Sequence, residues 1–195
     1  MEGKSLGRCG AAFCVLRGFT LYELLIVVAI SSLLLTVGVG SFDRYIGTTQ
    51  ADTIINKLRT ALSLARTEAV KRAASVVVCR VGALPGQCAG TVSSGHHDWS
   101  EGWLLFVDRD RDREFDLAAG DELLRVFPAI ESRFVLKWGR GDFIAYQGSG
   151  SLNSRNGSFC LGDLDDIAAF RRELVIPYSG RVRATSGACS YTLLP

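Results

Sequence analysis

Nineteen consecutive residues without a formal charge, Leu24–Phe42, constrain this chain of 195 residues more than any other stretch. A helix over that run covers ~28 Å, close to the hydrocarbon thickness of a bilayer. It starts abruptly in "RGFTLYELLIVVAI", with a single acid, Glu23, directly before the uncharged residues. The 18 residues at the amino end carry Lys4, Arg8 and Arg17 against Glu2, and so hold the whole formal net charge of +2. Basic residues ahead of a span place the amino end in the cytoplasm and the remainder outside. No small-residue exit site follows, so the run reads as a retained span rather than a discarded secretory signal. An ordinary single-span anchor is the plainest version of this reading.

Helical periodicity continues past the span. Ile46, Ala51, Ile54, Ile55, Leu58, Leu62, Ala65, Ala69 and Val70 recur at three- and four-residue steps among charged and polar neighbours. That spacing predicts one helix over about residues 20–73, ~80 Å long, with an apolar face in its second half. Gly38, Gly40 and Gly47 interrupt it and mark a bend or soft segment, because glycine costs ~1 kcal/mol inside a helix.

The pattern then changes to short apolar runs punctuated by glycine. "SVVVCRV", "GWLLFVD", "DELLRVFPAI", "RFVLKW", "DFIAYQ", "GSFCL", "ELVIPY" and "RVRATS" are predicted strands, with "GWLLFVD" central because both of its faces are apolar. The fold class is α+β: a long amino-terminal helix packed on a carboxy-terminal antiparallel sheet or two-sheet domain. Of six cysteines, Cys79, Cys88, Cys160 and Cys189 follow the span and permit two disulfides. Adjacent pairing, Cys79 with Cys88 and Cys160 with Cys189, closes short loops; burial as isolated small hydrophobes is the other reading.

"GFTLYELLIVVAI" closely resembles the processing and assembly signature of type IV pilins and pseudopilins. The resemblance implies that a membrane-bound prepilin peptidase cuts after Gly18 and methylates Phe19, the new first residue. It also implies that Glu23, fifth in the mature chain, pairs with the amino terminus of a neighbouring subunit during fibre assembly. Together with "WSEGWLLFVDRDRDREFDLAAGDELLRVF" and the terminal "SGRVR", the chain is similar to the FimT/GspH group of minor pilins and pseudopilins. The implied organisation is a cleaved leader 1–18, a transmembrane and assembly helix 19–47, its amphipathic continuation 48–73 and a periplasmic β-rich domain 74–195. The expected setting is the bacterial inner membrane, with lipid before assembly and other major and minor pilins or pseudopilins as partners. The group serves type IV pili, including DNA uptake, or the type II secretion pseudopilus.

In "GRVR", Arg181 and Arg183 would share one face of a strand while Val182 turns to the other, with Gly180 allowing a turn before them. FimT-like proteins linked to DNA uptake carry a similar GRxR element, which implies contact with double-stranded DNA. Two guanidiniums can grip phosphates without reading bases. Arg171 and Arg172 are the next candidates, and Lys137 and Arg140 follow if the fold brings them near. An edge strand kept soluble by arginine is the alternative.

Other motifs carry less. Asp108, Asp110, Asp112, Glu114 and Asp116 alternate as calcium ligands can, but Arg113 and Ala119 stand where an EF-hand needs glycine and a bidentate acid. A solvated turn balanced by Arg109, Arg111 and Arg113 is expected. "HHDW" reads as a surface loop, and Trp99 and Trp103 as packing residues. No nucleophile, histidine and acid converge, so neither an enzyme nor a cofactor or metal is expected.

Overall fold

The computed structural model describes residues 19–84, 86–165, 167–186 and 189, with only the backbone of 36–41 and 186. The cleavage residue Gly18, the leader 1–18 and most of the carboxy-terminal tail lie outside the described residues. Helix α1 spans Leu21–Arg72. The chain divides into two units, Met1–Phe42 and Asp43–Pro195. In the first, Leu24, Leu25, Val27, Val28, Ile30 and Leu33–Leu35 are all exposed. Among the described residues no helix is long and apolar enough to cross a membrane. The side chains at 36–41, inside the expected span, lie outside that description.

In the second unit α1 buries Ala51, Ile54, Ile55, Leu58, Ala61, Leu62, Ala65 and Ala69. Ile46 and Val70, expected on that face, are instead 38% and 51% exposed. Each lies twelve residues from Leu58, which at 3.6 residues per turn rotates it ~120° off the face centre. Gly47 is no simple bend residue: a Cβ there would meet Phe170 Cζ at 2.5 Å, so the glycine is a notch for that ring. The helix stops in a Schellman turn, with Ala73 at φ 50° and the Ala74 N–H donating to Ala69 O at 3.2 Å.

Among the described residues nine strands follow: β1 Ser75–Arg80, β2 His97–Asp98, β3 Trp103–Asp108, β4 Glu122–Phe127, β5 Phe134–Trp138, β6 Phe143–Tyr146, β7 Gly157–Asp163, β8 Arg172–Ile176 and β9 Arg183–Ser186. They form two antiparallel sheets, ordered β4-β3-β1-β6 and β2-β5-β7-β8-β9. Each predicted run contains a strand, while β2 falls in the stretch expected to be a loop. Val76, Val78, Trp103, Leu105, Ile144 and Tyr146 of the first sheet share one core with Leu136, Trp138, Phe159, Leu161, Leu174 and Ile176 of the second and with α1. The opposite face of the first sheet holds a smaller cluster, Val77, Cys79, Leu104, Phe106, Phe143 and Ala145, with Phe115 and Cys88 packed on it. β3 is therefore buried on both faces, as its uninterrupted apolar sequence requires.

Candidate functional site

At the amino end, Phe19 is 86% exposed. Thr20 precedes the first helical residue and Glu23 is the third within the helix, the positions of a capping box. The Thr20 N–H donates to Glu23 Oε2 at 3.0 Å, the Thr20 hydroxyl donates to the same oxygen at 3.1 Å, and the Glu23 N–H donates to Thr20 Oγ1 at 3.2 Å. The lone acid thus closes its own helix end, a role that the T-x-x-E spacing announces and the family signature obscures.

β8 and β9 are joined by residues 177–182, which tighten into a turn at Gly180. The Gly180 N–H donates to Pro177 O at 2.9 Å, and Gly180 has φ 72°. The ladder begins at Val175 opposite Arg183, and continuing its register sets Ile176 beside Val182 and Pro177 beside Arg181. That arrangement is a hairpin whose last loop residue is left-handed, which favours glycine. Glycine is also required sterically: a Cβ would overlap the Gly150 carbonyl oxygen and lie 2.9 Å from the Tyr146 ring. Val182 packs against the core, while Arg181 and Arg183 are exposed. Neither guanidinium has a hydrogen-bond or ion-pair partner among the described residues. The pair alternates about Val182 as expected, although the strand itself starts only at Arg183.

The other arginines are placed differently. Arg172 turns toward the helix, its Nε donating to Asp52 Oδ1 at 2.6 Å and its Nη1 to Ala169 O at 2.8 Å. It pairs in register with Ser186, three positions and ~10 Å along β9 from Arg183, and Arg171 is one residue farther. Those two do not join the Arg181–Arg183 cluster. Arg140 does come near its surface: Gly139, Ser158, Val175 and Arg183 form one row across the sheet. Lys137 lies in the next row but one, with Cys160, Glu173 and Thr185.

Both adjacent cysteine pairs are bonded, Cys79 to Cys88 and Cys160 to Cys189. The expected acidic turn folds onto the first sheet, with Arg113 5.0 Å above the Phe143 ring and Phe115 against Phe106. It gathers Asp108 and Asp110 with Asp121, rather than the alternating acids. Backbone N–H groups fill part of that cluster: Arg111 donates to Asp108 and Arg109 to Asp121. Burial raises the Asp108 carboxyl above its ordinary value. Trp99 and Trp103 are buried, as expected of packing residues.

Sequence gave no sign of Asp142. It is 2% exposed and joins the two sheets, pairing with Arg80 of β1 and His97 of β2 and accepting the Val92 N–H at 3.2 Å. His97 is thus a structural partner rather than a loop residue. Burial alone would raise the Asp142 carboxyl, but its hydrogen bonds to Arg80 and His97 outweigh that and hold it below the usual carboxylate range.

The fold has relatives of known structure. Two crystal forms of the Pseudomonas aeruginosa type IV minor pilin FimU are similar to it, at TM-scores of 0.50 and 0.52 and 16% identity. The matches cover 70% and 74% of this chain and 90% and 96% of FimU. No curated protein matches the sequence significantly. Residues 55–179 match the family described as type II transport protein GspH, a stretch that runs from the buried face of α1 into the β8–β9 turn and ends one residue before Gly180. The chain belongs to the GspH family.

Proposed function

We propose that this chain is a minor pilin, cut between Gly18 and Phe19, methylated at Phe19 and anchored in the inner membrane by its helix until it enters a fibre with other pilins. Glu23 leaves its local partner Thr20 to meet the amino terminus of a neighbouring subunit. The outer domain captures double-stranded DNA by its phosphates. The observation that carries the DNA reading is the hairpin at Gly180: a turn that only glycine fits delivers two exposed arginines without partners among the described residues. Phosphate contacts carry no base identity, so binding is indifferent to sequence and weakens with salt.

The test is a salt series of duplex binding with the full-length chain in detergent. Arg181→Ala/Arg183→Ala is expected to weaken affinity roughly tenfold and to flatten the salt dependence by about two phosphate contacts, with an unchanged melting temperature. Unchanged affinity in the folded double variant would reject the hairpin as a DNA surface.

The family's description as a type II transport protein supports a second reading, a pseudopilin whose outer domain meets other minor pseudopilins or secreted proteins. In that case the wild type shows no salt-sensitive duplex binding, and loss of the chain stops protein secretion while leaving DNA uptake intact.

A further inference from the structure

Beside the arginine hairpin, the outer face of the second sheet carries an open groove of about 430 Å³. Ser158, Val175 and Pro177 floor it, and Arg140 and His96 border the side away from β9. Val175 is the register partner of Arg183, so the groove floor begins where the arginine hairpin ends. Arg140 is exposed and built into position. Its Nε donates to Asn156 O at 3.1 Å, and its stem lies where a Cβ on Gly157 would come within 2.9 Å of it. The two terminal nitrogens of its guanidinium have no protein partner among the described residues. Glu173 closes the far end of the groove, and it is already engaged in other contacts.

The row Gly139, Ser158, Val175, Arg183 crosses three strand spacings, about 14 Å in all. The Arg140 guanidinium, held at Asn156 O beside Gly157 of β7, stands about two of those spacings, ~10 Å, from β9, which is near the ~12 Å width of the B-DNA major groove. The floor between the two ends offers the side chains of valine and proline and one hydroxyl, with nothing shaped to read base edges.

We infer that this groove is a second phosphate seat of the same DNA surface: the duplex lies across the strands, with Arg181 and Arg183 on the phosphates of one strand and Arg140 on those of the other. The inference rests on the DNA reading above and adds the placement and direction of the duplex. Glu173 keeps the anionic path on the Val175–Pro177 side of the sheet, away from the row of Lys137.

Fluorescent duplex DNA of random sequence, titrated with the full-length chain in detergent across a salt series, tests it. Arg140→Gln is expected to weaken duplex binding roughly three- to tenfold and to make the salt slope shallower by about one. Val175→Glu, which places an acid on the groove floor without touching Arg140, is expected to weaken it as well. On single-stranded DNA the Arg140→Gln loss should largely vanish, because only a duplex offers a second strand. Wild-type affinity in both variants, with Arg181→Ala/Arg183→Ala still defective, overturns the groove and leaves the hairpin reading intact. An equal Arg140→Gln loss on single-stranded DNA overturns the two-strand placement. Absence of any duplex binding by the wild type at low salt overturns both readings.

Discussion

The outer faces of the two sheets are built from different kinds of residue and end in opposite states: Val77, Leu104, Phe106 and Phe143 on the first, Lys137, Ser158, Glu173 and Arg183 on the second. On the first sheet, Leu104, Phe106 and Phe143 are sealed by Phe115, Cys88 and the stem of the acidic loop, and Arg113 is spent on the Phe143 ring. On the second, the corresponding face holds an open groove, and its arginines at 181 and 183 point to solvent. Each face has a disulfide, Cys79–Cys88 on one and Cys160–Cys189 on the other, so crosslinking does not distinguish them. What distinguishes them is whether the strands turn outward apolar side chains for a loop to cover. An arginine stacked on an aromatic ring inside its own domain stabilises the fold; one left without a partner is available to an outside anion.

This contrast can be broken experimentally. Phe106→Ala should have the largest effect, lowering stability by ~3–5 kcal/mol through a cavity in the sealed face. Duplex affinity of the fraction that remains folded should be unchanged, and urea denaturation beside a binding titration reads both. A loss of affinity would show that the faces are not independent. Gly180→Ala should cost less, ~1–3 kcal/mol from left-handed strain and the overlap at Gly150 O. Here DNA binding should fall together with stability, because the substitution displaces the turn that presents both arginines. Retention of full affinity would detach the hairpin's shape from its function.

The smallest effect lies at the joint between the faces. Because folding lowers the Asp142 carboxyl, its contribution is complete above the ordinary carboxylate pKa of ~3.9 and is lost as the pH falls through its folded value. Stability of the wild type should therefore drop more steeply in acid than that of Asp142→Asn, measured by denaturation midpoints between pH 7 and pH 2.5. Parallel acid limbs would remove Asp142 as the coupling between the sheets.

Much of this architecture was legible in the sequence because it is locally encoded. The strands announce themselves by β-branched and aromatic runs between glycines, and the buried stripe on α1 by its spacing. Ile46 and Val70 were misplaced because a three-and-four pattern extended over 24 residues drifts off a face only ~100° wide. β2 escaped notice because two residues carry no period. The Arg181–Arg183 exposure was legible from alternation about Val182, whereas the need for glycine at 180 rests on Gly150 and Tyr146, some 30 residues away. Asp142 had no local signal at all, since Arg80 and His97 stand 62 and 45 residues before it.

The ring of Phe170 seated over Gly47 has a mechanical consequence. An apolar stripe alone lets a helix creep along its axis or roll by a few degrees at little cost. A phenyl group lodged in the single gap of a side-chain row is a detent: shifting the helix by one residue in either direction would drive Ile46 or Thr48 into it. Axial load on α1 is thereby handed to the β domain by this notch as well as by the pair Arg172 and Asp52, and the notch resists a shift that an apolar stripe alone would allow.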